Sequence, residues 1–273
     1  MTNRILTKPW VWAVPLLLLG AGCGTLDNDR GWGQDAVYPV SWERVGKAAK
    51  RAIIDPGTWA PAVGAAVFSI DDWDERVSDW AAEKHPVFGS QRFAEDYSDY
   101  ARDALLAEAL GLAIFTPSGD TFKEWSVAKA RGFAVEGATL FAVGESTKAL
   151  KDATKRTRPD GGSDDSFPSG HTSISMSSAV LANRNLKSIS INPAVRTAWQ
   201  TGNYMLAGSV AWARVEGQRH YPADVLAGAA LGNMLTIFLH DAFMNLPEDT
   251  DERLGFYLEP SLSGVKGSVS WKF

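Results

Sequence analysis

Residues 151–171 read KDATKRTRPDGGSDDSFPSGH, and residues 214–224 read RVEGQRHYPAD. Together they supply Lys151, Arg158 and Arg214, a Pro168-Ser169-Gly170-His171 turn, and His220 four residues before Asp224. Fixed cations, a hydroxyl, imidazoles and a carboxylate are the groups needed to hold a phosphoryl group, attack it and protonate what leaves. A phosphoryl group in transfer spreads negative charge over its equatorial oxygens, so donors and cations must already face it. Arg158 and Arg214 offer planar forks to phosphate oxygens, and Lys151 a point charge. Ser169-Gly170 reads as a helix start, where a hydroxyl and free amides seat an anion and Gly170 permits close approach.

The surrounding pattern is helical. Apolar residues recur at three- and four-residue spacing over Ser41–Ile54, Asp71–His85 and Gln91–Phe115. A long helical stretch covers Thr121–Lys155, and others cover Gly170–Asn183, Pro193–Val215 and Pro222–Asn245. The spacing then places Lys151 and Arg158 two turns apart on one helix face, with Pro159 closing that helix. His220 and Asp224 fall one turn apart, so the carboxylate reaches an imidazole nitrogen. Val225–Leu239 is apolar nearly all round but short, which suits the centre of a bundle better than a membrane span. The tail alternates from Val265 to Phe273 and reads as a strand paired with Phe256–Leu262 through Ser263-Gly264.

The three segments resemble the type 2 phosphatidic acid phosphatase family, which spans acid phosphatases, lipid phosphate phosphatases and vanadium haloperoxidases. Ten positions fall in family order and spacing: Lys151, Arg158, Pro159, Pro168, Ser169, Gly170, His171, Arg214, His220 and Asp224. Ala213 departs from the family's Ser, losing a hydroxyl and no catalytic group. The resemblance implies a mainly α helical bundle. It implies His220 as nucleophile, oriented by Asp224, and His171 as the acid that protonates the leaving oxygen. It assigns phosphate binding to Lys151, Arg158, Ser169, Gly170 and Arg214. No cofactor and no metal are expected, although vanadate can occupy such a site. Singly, each piece is ordinary: a solvated Lys–Arg face, a helix cap, a structural His, a surface His–Asp pair. Those readings do not predict the order and spacing.

At 273 residues with 45% hydrophobic content, the chain can bury one sizeable core. A net charge of −5 speaks against nucleic-acid binding. Residues 1–22 read as a signal peptide: Arg4 and Lys8, then an apolar run too short to span a bilayer. Cys23, the single cysteine, ends that run in a box resembling the bacterial lipoprotein lipidation site, with Gly20 where the pattern prefers Leu. The expected organisation is a signal peptide over 1–22, a tether over 23–40, a helical domain over 41–250 and a C-terminal β-hairpin over 251–273. The expected partners are a phosphorylated substrate, lipid or soluble, and a membrane reached through the lipid anchor. The expected place is the bacterial envelope, facing the periplasm as an outer-membrane lipoprotein. A vanadium haloperoxidase and a non-enzymatic envelope lipoprotein that binds phosphorylated lipid are the competing functions.

Overall fold

The computed structural model describes residues 24–37, 40–246, 254–261 and 264–271. The expected signal peptide and Cys23 lie outside them. The described residues form eight helices: α1 Trp42–Ile54, α2 Pro56–Phe68, α3 Trp73–Lys84, α4 Gln91–Phe115, α5 Phe122–Thr154, α6 Gly170–Lys187, α7 Pro193–Glu216 and α8 Pro222–Met244. Two strands follow, β1 Leu254–Ser261 and β2 Gly264–Trp271, antiparallel with Ser261 opposite Gly264.

The helix starts follow the capping chemistry of the sequence. Ser41, Ser90 and Ser169 each accept an amide proton of the first turn of α1, α4 and α6. Thr121 and Glu124 form a capping box on α5, which runs unbroken to Thr154. Lys155 ends it in the left-handed conformation (φ 46°), three residues before Arg158. Lys151 and Arg158 therefore do not share a helix face as expected; Arg158 sits in the loop beyond. Helix α2 has no counterpart in the periodicity. Its 13 residues carry no charge and include Pro61, so no amphipathic stripe marks it.

Helices α6 and α8 form the centre. Among the described residues, α8 is the one helix long and apolar enough to cross a membrane, yet 61% of its apolar window is buried against neighbouring helices. Gly228 and Gly232 bring α8 onto α6: a Cβ on them would lie 2.6 Å from the Ser169 carbonyl oxygen and 2.3 Å from that of Ser173. At this closeness the Ser169 amide donates to the Asp224 carbonyl at 2.9 Å. The start of α6 and the first turn of α8 are thereby fixed to one another.

The segment expected to be a tether is docked over residues 24–36. Trp32 is fully buried against Phe133 and Ala113, and a Cβ on Gly132 would lie 2.1 Å from its ring. Gly24 pairs with Gly119. Burying one large aromatic outweighs the polar composition that suggested a loose segment. Trp73, Trp80 and Trp199 are half-exposed on the outside of the bundle.

Candidate active site

The cations, the imidazoles and the start of α6 meet at one end of the bundle. Lys151 comes from the last turn of α5, Arg158 from the α5–α6 loop, Ser169 to His171 from the start of α6, and Arg214 from the last turn of α7. His220 does not lie on a helix. It sits in the α7–α8 turn, after Gln218 in the left-handed region (φ 55°), and its amide donates to the Arg214 carbonyl at 3.1 Å. Glu216 secures this turn by accepting the Phe88 amide at 2.7 Å, and Arg219 by pairing with Glu95 and Asp160, each at 2.9 Å.

The expected His220–Asp224 hydrogen bond is absent. Nδ1 of His220 lies 3.9 Å from the nearer Asp224 oxygen, because Tyr221 and Pro222 carry the chain into α8 between them. Nδ1 instead donates to the Ser166 carbonyl at 2.6 Å, and the Ser166 hydroxyl donates to Asp224 at 2.5 Å. Asp224 also accepts from the Tyr221 amide at 2.9 Å and from Arg156 at 2.7 Å. Arg156 continues to Asp74, also at 2.7 Å. With Nδ1 committed as donor, a neutral His220 carries its lone pair on Nε2. Burial and the charges of Arg214, Lys151 and Arg158 push its pKa well down, so it is neutral at ordinary pH.

The three cations differ in what they hold. Arg214 is buried, donates to the Ser98 hydroxyl at 3.1 Å and leaves its Nε without a partner. Burial brings its pKa to about 10, still protonated at neutral pH. Lys151 and Arg158 both engage Asp165. Lys151 donates to its carbonyl and lies 3.3 Å from its carboxylate. Arg158 Nη2 donates to the carboxylate at 3.0 Å, while Nε lies 2.8 Å from the other oxygen without hydrogen-bond alignment. Burial opposes ionisation of Asp165, but the Ser163 hydroxyl and the two cations hold its pKa at about 2. An internal carboxylate thus occupies two of the expected phosphate ligands.

Gly170 opens α6 as expected, but protein packing does not demand it. A Cβ there would sit 3.6 Å from Thr147 and 3.9 Å from Lys151, ordinary contact distances. The missing side chain leaves room between Lys151 and the amides of α6. A cavity of about 320 Å³ adjoins it, lined by Arg102, Gly144, Thr147, Gly170, His171 and Ile174. His171 is partly buried, and its Nε2 lies 2.5 Å from Asp99 and 2.6 Å from Arg102. Burial and Arg214 bring its pKa to about 4. Among the described residues no group of three or more His, Cys, Asp or Glu is placed to hold a metal ion.

This arrangement of ten motif residues on a helical bundle has known counterparts. Residues 133–247 match the PAP2 superfamily. Over that segment the chain resembles this superfamily. The match takes in most of α5 and all of α6 to α8, and so every motif residue. The chain is 32% identical over 155 residues, 54% of its length, to a lipid A 1-phosphatase of Porphyromonas gingivalis. It spans about a third (32%) of the length of that relative. The bundle also resembles the crystal structure of a transmembrane PAP2-type phosphatidylglycerolphosphate phosphatase of Bacillus subtilis, with a TM-score of 0.52 and 19% identity. That likeness covers 67% of this chain and 92% of the other.

Several groups around the PAP2 motif were not foreseen. Asp74, Asp99 and Arg102 lie on α3 and α4, outside the match, where the sequence shows only charged positions on amphipathic helices. Ser166 carries no signal within its loop. Arg156 had one, in the run Lys155-Arg156-Thr157-Arg158. His240, near the end of α8, is buried beside Asp241 and Arg184; burial brings its pKa to about 4, and it is neutral.

Proposed function

We propose that the protein is a metal-independent phosphatase that removes a terminal phosphate from a phosphorylated lipid through a phosphohistidine on His220. The observation that carries this reading is the buried His220, whose Nδ1 is tied to the Ser166 carbonyl, while burial and the charges of Lys151, Arg158 and Arg214 favour its neutral form. The Nε2 lone pair attacks phosphorus, and the bond to the leaving oxygen breaks as that oxygen takes a proton from His171, which the negative charge of the bound phosphate keeps protonated above its free-enzyme pKa of about 4. Water then gives a proton to His171 and attacks phosphorus; the N–P bond breaks, and orthophosphate leaves. The cations, the Ser169 hydroxyl and the amides of α6 stabilise the equatorial oxygens, displacing Asp165 from Lys151 and Arg158.

Lipid is favoured as the substrate class because both similar proteins are named for phosphate-bearing lipids. The place we propose is the bacterial envelope, with residues 1–22 removed, Cys23 lipidated, and the helical domain over 41–250 facing the periplasm. The test is phosphate release in EDTA from phosphatidic acid, a polyprenyl diphosphate and 4-nitrophenyl phosphate, with His220→Ala as control. Histidine-dependent turnover with preference for a lipid, inhibited by vanadate, is expected. Activity lost in EDTA and restored by a divalent ion would overturn the mechanism. Turnover of the aryl phosphate alone would overturn the lipid assignment.

A further inference from the structure

Asp99 and Arg102 lie one turn apart on α4, outside the segment that matches the PAP2 superfamily. Both reach the same atom, Nε2 of His171, at 2.5 and 2.6 Å. One ring nitrogen cannot satisfy both neighbours at once. Carrying its proton, Nε2 donates to the carboxylate; without it, Nε2 accepts from the guanidinium. The two side chains therefore favour opposite protonation of one ring nitrogen, Nε2. They are also tied to each other, with Arg102 Nη1 3.4 Å from Asp99, and Asp103 holds Arg102 at 2.9 Å.

We propose that Asp99 and Arg102 are an opposed pair of positioning residues that set the protonation and direction of His171, placing control of proton delivery on α4. The charged groups facing His171 are these two, Arg214 from α7 and, past Gly170, Lys151 from α5. Of these, Asp99 alone favours the imidazolium. Burial and Arg214, joined by Arg102, bring the pKa to about 4 against the opposing pull of Asp99. The leaving oxygen takes the place beside Nε2 that the Asp99 carboxylate holds in the free enzyme. The inference rests on the proposed phosphatase reading for the role of the proton, but not for the contact itself.

Two measurements on the full chain separate these. In the substrate-free protein, NMR titration of His171, assigned with His171→Gln, should move to lower pH in Asp99→Asn and to higher pH in Arg102→Gln. In turnover, the alkaline limb of kcat/KM should move in the same opposite directions. Asp99→Asn should lower kcat about 10-fold for an alkyl phosphate, part of the ~10²–10⁴ that general acid catalysis supplies. The loss should be smaller for 4-nitrophenyl phosphate, whose leaving group needs no proton. Asp99→Glu should recover most of the loss. Shifts of equal sign in the two variants, or none, would overturn the pairing. Asp99 is half-exposed, so these variants should fold like the wild type. A wild type without His220-dependent phosphate release would sink the phosphatase reading, and the titration would still decide the pair.

Discussion

Replacing Asp224 with Asn removes a carboxylate charge 3.9 Å from His220 Nδ1 and keeps its size. When His220 Nε2 bonds to phosphorus the ring becomes cationic, and at this distance the carboxylate stabilises it by about 4 kcal/mol at an effective dielectric of about 20. Arg156, bound to the same carboxylate at 2.7 Å, offsets part of that. A net loss of about 2–3 kcal/mol in the transition state remains, a fall in kcat of about 30- to 150-fold. The tautomer should survive, because the Ser166 carbonyl and not Asp224 receives the Nδ1 proton. Folding suffers separately. Asp224 is fully buried and accepts from Arg156, Ser166 and Tyr221, so the amide should destabilise by about 2–3 kcal/mol and lower Tm by about 4–12 °C. The assay is kcat from initial rates well below Tm, with thermal unfolding followed by circular dichroism. Ser166→Ala is the companion variant: it keeps the carbonyl, so kcat should fall less than about 5-fold. Asp224→Asn with kcat within about threefold of wild type would refute the electrostatic argument. Ser166→Ala as damaging as Asp224→Asn would refute the division of labour.

Arg158→Lys should lower kcat/KM about 10- to 100-fold, since an ammonium cannot make the bidentate contact with a phosphate oxygen pair; unchanged steady-state kinetics would place Arg158 outside the site. Gly228→Ala should destabilise the fold by about 1–3 kcal/mol in urea, because the new Cβ meets the Ser169 carbonyl at 2.6 Å. Burial raises Glu136 from 4.5 to about 8, against the Asn185 hydrogen bond and the Lys129 charge. Between those values the folded chain holds a proton that the unfolded chain has released, so stability falls as pH rises through the window. Burial lowers Lys129 to about 7, and between there and 10.5 the unfolded chain holds the extra proton, so stability rises with pH. Glu136→Gln should flatten the falling limb by up to about 1.4 kcal/mol per pH unit; urea unfolding at four pH values between 5 and 8 reads it, and an unchanged slope would count against a neutral Glu136.

Helices that carry a stripe and a cap are legible from local pattern, as are the motif residues and their order. Gln91–Phe115 is legible because its apolar positions repeat with the helical period and Ser90 caps it. Helix α2 was not, since a segment apolar all round has no period to detect. Packing between elements set which atoms meet. It put Arg158 past the end of α5 and His220 in a turn, so two contacts that spacing implied were replaced by longer routes through Asp165 and Ser166. It buried Trp32 in a segment whose composition read as loose. It also carried Asp74, Asp99 and Arg102 to Arg156 and His171 from 69 to 82 residues away in sequence. Local spacing encodes neighbours on one element, through rise and period. Contacts between elements depend on how helices pack, and here two glycines of α8 set how near the two halves of the site come.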